Sequence, residues 1–113
     1  VQINISARHG HLSPGTQEKI TEKVEGVRKF FDRMTGIHVT VDLEHRDQPT
    51  VEMRVTAEHH DEFVALDQAD TVLAALDSVV EKMESQLRKF KEQLKEHRAT
   101  GHKRLEPPAP AGS

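Results

Sequence analysis

A chain of 113 residues has the length of one domain and room for one modest core, built mainly from Val, Ile, Leu and Met because it has four Phe and no Trp or Tyr. The absence of cysteine excludes disulfides, thiolate metal sites and a cysteine nucleophile, and no apolar run reaches the roughly 18 residues of a membrane span, nor is a secretory signal visible. Net charge is −3, but residues 42–81 carry −9 while residues 1–41 carry +2 and residues 82–113 carry +4, which argues against a sequence-blind affinity for nucleic acid while allowing one basic face.

Val1, Ile3, Ile5 and Ala7 alternate with Gln2, Asn4, Ser6 and Arg8, the period-two pattern of a half-buried strand. His9-Gly10-His11-Leu12 breaks it. Ser13 then reads as an N-cap with Pro14 at the first helical position. Ile20, Val24, Val27, Phe31 and Met34 recur at alternating spacings of four and three, one apolar stripe on a helix over about 14–33, with Gly36 suited to its exit.

Two cleanly alternating strands follow. Ile37, Val39, Val41 and Leu43 point one way, and His38, Thr40, Asp42 and Glu44 the other. After an Arg46-Asp47-Gln48-Pro49 turn, Val51, Met53, Val55 and Ala57 face in, while Glu52, Arg54, Thr56 and Glu58 face out. A second polar turn, His59-His60-Asp61-Glu62, leads to a less regular strand near Phe63–Asp67. Short connections make these three an antiparallel meander. Leu73, Leu76, Val80, Met83, Leu87, Phe90 and Leu94 then form a seam on a long helix, from an Asp70/Thr71 cap to roughly His97.

The order is β-α-β-β-β-α, an α+β domain over residues 1–97 followed by a disordered Pro-rich tail over 98–113. Each helix has one apolar stripe, so both must cover the same face of a four-stranded sheet, leaving the other face polar and wet. The architecture is like that of double-stranded-RNA-binding domains.

The second helix carries the main functional signal. Lys82 and Lys89 stand seven residues apart on one flank, with Arg88 and Lys95 placed beside them and Lys91 and Arg98 on the other flank. The first helix offers Lys19, Lys23, Arg28 and Lys29. Helical turns rise about 5.4 Å, a scale close to phosphate spacing, so such a row can track a nucleic-acid backbone and release its counterions. The bland alternatives are a solvated helix face interspersed with Glu84, Glu92 and Glu96, and a coiled-coil seam. His9, His11, His59 and His60 sit in loops without Cys or an H-E-x-x-H pattern, so no metal or other cofactor is expected. No nucleophile elbow or Gly-rich phosphate loop is present and the carboxylates are scattered, so neither catalytic residues nor a small-molecule substrate is expected.

These features, together with the opening Gln2-Ile3-Asn4-Ile5 and the Ser13-Pro14 cap, meet a more specific run. Ala74-Ala75-Leu76-Asp77 is followed by Lys82-Met83-Glu84-Ser85-Gln86-Leu87-Arg88-Lys89-Phe90-Lys91. Over roughly residues 1–97 the chain resembles the short form of the ribosome hibernation-promoting factor family, also called ribosome-associated inhibitor or sigma-modulation proteins. The resemblance implies a cytoplasmic, non-enzymatic protein whose partner is the small ribosomal subunit. It would bind small-subunit rRNA at the decoding and peptidyl tRNA sites and block mRNA and tRNA during stress or stationary phase. Matched by position, Lys23, Lys29, Lys82 and Lys89 are the implied rRNA ligands. Arg88 and Lys91 are basic where the family varies, and Arg28 and Lys95 complete the candidate set.

Three positions depart from the family pattern. Ser85 stands where arginine is common, Leu73 where tyrosine is frequent, and Gly26 where a basic residue is frequent, the last at a helix cost of about 1 kcal/mol against Ala. A different class of function also fits: a protein-interaction module that regulates a sigma factor or another partner through the acidic 42–81 segment or the exposed sheet face.

Overall fold

The computed structural model describes residues 1–31, 33–58 and 60–100, with side chains as far as Gln93 except those of His60 and Asp61. Its elements are β1 (Gln2–Arg8), α1 (Pro14–Phe30), β2 (Met34–Asp42), β3 (Thr50–Ala57), β4 (His60–Gln68) and α2 (Val72–Thr100). The β-α-β-β-β-α order is as expected.

Local chemistry sets the helix starts. Ser13 Oγ accepts the Thr16 N–H at 3.2 Å with Pro14 behind it, and Thr71 Oγ1 accepts the Ala74 N–H at 3.1 Å. Each hydroxyl satisfies one of the amide donors that a helix start leaves unpaired. The helix ends differ from expectation. α1 stops at Phe30 because Phe31 is extended, at φ −144° and ψ 116°. Phe31 and Met34 still enter the core, but from the connection and from β2. A register shift between Met34 and Gly36 turns Met34 to the same face as Ile37. Gly36 therefore lies inside β2 and not at a helix exit; a Cβ there would stand 3.1 Å from Thr56 Oγ1. α2 runs past His97 to Thr100, so the first three residues of the expected 98–113 tail are helical and the remaining ones, 101–113, lie outside the described residues.

The sheet order is β1-β2-β3-β4, parallel between β1 and β2 and antiparallel thereafter. α1 is the crossover between two parallel strands. β4 runs in the same sense as β2, so α2, which returns from it, runs in the same sense as α1. α1 covers β1 and β2, and α2 covers β3 and β4. Ile20, Val24 and Val27 of α1 and Ala75, Leu76, Val79, Met83 and Leu87 of α2 are fully buried against Ile37, Val39, Val41, Val51, Met53 and Val55. Val79 takes the deep position expected of Val80, which is half-buried.

No polar or charged side chain among the described residues is buried. Any recognition chemistry is therefore on the surface. At about 1.5 Å per residue, α2 spans about 44 Å, against about 30 Å for a nine-residue strand, so its C-terminal part outruns the sheet.

Candidate nucleic-acid interface

The basic side chains of α2 divide between two flanks. On the flank over β4, Ser78, Lys82 and Gln86 form a row with four-residue spacing. The Ser78 hydroxyl donates to Asp67 Oδ2, Lys82 Nζ donates to the Leu66 carbonyl at 3.1 Å, and Gln86 Nε2 donates to the Val64 carbonyl at 2.8 Å. Four helical residues rise about 6 Å and two strand residues about 6.6 Å, so Lys82 and Gln86 meet alternate carbonyls. These carbonyls belong to β4, an edge strand, and the row occupies bonding groups that would otherwise be open to another strand.

Lys82 is thus tied twice, since its Nζ also lies 3.2 Å from Asp67 Oδ2. Asp67 is held down to a pKa of about 2, first by the Ser78 hydroxyl, then by the Gln68 N–H and by Lys82. Lys89 stands seven residues on, about 20° short of two full turns, and so continues the Lys82 flank. Arg88 does not lie beside them.

The opposite flank faces α1. Asp77 Oδ1 meets Lys23 Nζ at 2.6 Å. Further along, Arg88 stands 5.8 Å and Lys91 4.7 Å from the centre of the Phe30 ring, and Lys91 Nζ donates to the Phe30 carbonyl at 3.0 Å. Lys91 therefore places a cation at the negative end of α1 while satisfying one of its terminal carbonyls. Beneath this cluster Phe90 packs edge-on against Phe31 at 5.7 Å and Phe63 at 5.3 Å, which fixes the segment carrying Arg88, Lys89 and Lys91 to α1 and to the sheet.

The remaining candidates separate by partner. Arg28 is paired with Glu25 of its own helix at 2.7 Å. Lys29 and Lys89 are exposed and make no hydrogen bond or ion pair among the described residues. The side chain of Lys95 lies outside the described residues. Arg33, which the sequence reading passed over, is exposed directly after α1, close in the chain to Lys29. Its signal was three residues of spacing from the helix end, hidden by placing that end at 33. Because the helices run in the same sense, Lys29, Arg33, Arg88, Lys89 and Lys91 all belong to the C-terminal half of the helical layer. Asp42, Glu44 and Asp47 belong to the opposite end.

Of the loop histidines, His9 has a use of its own. His9, in the left-handed region at φ 62°, hydrogen-bonds Asp42 Oδ1 through Nδ1 at 2.9 Å, and Asp42 Oδ1 also accepts the Glu44 N–H at 3.0 Å. These bonds pin the β1–α1 connection to the end of β2.

Residues 3–95 match the family model described as Sigma 54 modulation protein / S30EA ribosomal protein. A ribosome hibernation promoting factor of Pseudomonas putida is 29% identical over 75 residues, which span 59% of this chain and 74% of that protein. Two solved structures share the fold. A ribosomal subunit interface protein from Coxiella burnetii gives a TM-score of 0.73 at 21% identity, covering 81% of this chain and 99% of its own. The N-terminal domain of Protein Y from Thermus thermophilus gives 0.67 at 16% identity, covering 77% and 94%.

Proposed function

The chain belongs to the Sigma 54 modulation protein / S30EA ribosomal protein family, and from that premise we propose that it is a ribosome hibernation factor acting in the cytoplasm. It binds small-subunit rRNA at the decoding and peptidyl tRNA sites and keeps mRNA and tRNA out during stress or stationary phase. The observation that carries this reading is the convergence of Lys29, Arg88, Lys89 and Lys91 on one half of the helical layer, over an anchored aromatic cluster.

The action is exclusion. Two bodies cannot fill one channel, and no bond is made or broken. Lys29 and Lys89 supply ammonium groups with no hydrogen-bond or ion-pair partner among the described residues. Arg88, with its planar fork over Phe30, supplies a pre-positioned bidentate contact to phosphate. Lys23 and Lys82 contribute only where rRNA competes with Asp77 and Asp67. RNA shape and backbone are read in this way, as surfaces of this kind do with structured RNA.

The test is co-sedimentation of the chain with purified small subunits across a salt series, with initiator tRNA and mRNA as competitors. Binding that weakens linearly in log salt and is mutually exclusive with tRNA is the expected result. Simultaneous binding of both would reject the site. A second reading, docking of a regulatory protein on the outer sheet, draws on Val64 and Leu66, which are 42% and 53% exposed there. Partners captured after RNase treatment, with ribosomal components absent, would favour it.

A further inference from the structure

Two of the lysines in the proposed surface bring a carboxylate of their own, and the two pairs are built differently. Lys82 and Asp67 are locked into the α2–β4 seam, because Asp67 also accepts from Ser78 and from the Gln68 N–H, and Lys82 also donates to Leu66. Asp77 has no partner among the described residues besides Lys23, its side chain is 60% exposed, and it stands on the flank that leads to Arg88 and Lys91. It is a carboxylate facing the ground where phosphates are to sit.

We infer that Asp77 is a selectivity residue of this surface: it neutralises Lys23 against RNA in general and yields it to an RNA whose fold places a phosphate at Lys23. The inference rests on the RNA-binding reading above. A lysine already neutralised by its own carboxylate displaces no counterion from the RNA, so RNA that leaves the pair closed gains nothing from Lys23 and is repelled by Asp77 wherever a phosphate comes near. An exposed pair of this kind is only weakly held, so a phosphate in the right place opens it easily. Asp77 therefore weakens loosely placed RNA more than it weakens the fitted target.

The experiment titrates the full chain and its Asp77→Asn variant with purified small ribosomal subunits and with a short generic RNA duplex, each over a salt series. Loss of the carboxylate is expected to raise affinity for the duplex about fivefold and for the subunit by less, so that the ratio between them falls. The slope of log affinity against log salt for the duplex should steepen by about 0.7 to 0.9, the increment of one phosphate contact. Adding Lys23→Ala to Asp77→Asn should cancel the gain, because the freed ammonium is what makes the new contact. Asp77→Ser repeats the measurement with a smaller side chain in case the amide disturbs folding. An unchanged slope and ratio overturn the inference, as does a gain in Asp77→Asn that persists when Lys23→Ala is added. If the parent binds neither RNA, the reading of the surface falls first and takes this with it. If the parent binds subunits and Asp77→Asn behaves identically, only the role of Asp77 falls.

Discussion

Lys91 of α2 reaches the last residue of α1 twice, with its ammonium 3.0 Å from the Phe30 carbonyl oxygen and 4.7 Å from the centre of the Phe30 ring. One exposed lysine thus closes a helix end and joins the two helices. Lys91→Met removes the charge and the donor while keeping most of the stem. It is expected to cost about 1 kcal/mol, the sum of a lost charge-assisted bond and a lost dipole contact, which corresponds to a melting shift of about 4–8 °C for a domain of this size. Lys91→Arg should recover much of that loss. A melt unchanged in Lys91→Met would show that the contact contributes nothing in solution.

The row along β4 leads to a different expectation. Lys82 and Gln86 occupy the Leu66 and Val64 carbonyls of an edge strand, and the outward side chains of those two residues are apolar. Replacing both, as Lys82→Met with Gln86→Leu, frees those carbonyls for another chain. Light scattering should then show concentration-dependent self-association that the parent lacks. A double variant as monodisperse as the parent would mean that the edge is guarded by something else. Subunit binding should suffer less from Lys82→Met than from Lys89→Met, because Lys82 is already spoken for.

Acid sensitivity should follow from Asp67. The folded protein holds this carboxyl at about 2 against a usual 3.8, first through the Ser78 hydroxyl, then through the Gln68 N–H and Lys82. The unfolded chain therefore takes up the proton at higher pH than the folded one. The stabilising contribution is complete above 3.8 and is lost as pH falls toward 2. Urea midpoints measured between pH 7 and pH ~2.5 should fall more steeply for the parent than for Asp67→Asn below about pH 4, with the variant less stable at neutral pH. Parallel profiles would remove Asp67 from the account of acid stability.

Much of the fold was legible because one face of the central strands is buried. In β2 and β3 every second residue from Ile37 to Val41 and from Val51 to Val55 lies in the core, and period two follows directly. Helix ends were harder. Phe31 and Met34 extend the helical spacing of α1 by coincidence, and only the extended backbone at Phe31 and the register shift beside Gly36 send them to the core by another route. β4 read as irregular because Val64 and Leu66 are apolar on its wet face, where alternation calls for polar residues. The basic residues of the surface were visible in the sequence, but their partners were not. Asp77 stood in the run that carried the family resemblance, yet its bond to Lys23 depends on how α1 packs beside α2. Asp67 meets Lys82 because β4 passes along that flank of α2. Arg88 leans toward Phe30 because residues 77, 84, 88 and 91 share the α1-facing flank, a placement the helical period contains but a coarse division into flanks did not resolve.

One charge-reversal experiment tests the ribosome-binding surface most directly. Lys29 and Lys89 are exposed lysines of the surface without a hydrogen-bond or ion-pair partner among the described residues, so reversing them breaks no such contact of the fold. Small-subunit co-sedimentation of Lys29→Glu combined with Lys89→Glu should be lost, while the circular-dichroism melt stays cooperative and falls by only a few degrees, about the cost of an anion in the last turn of α1. Undiminished co-sedimentation by a properly folded double variant would contradict the claim that this helical surface is what meets the ribosome.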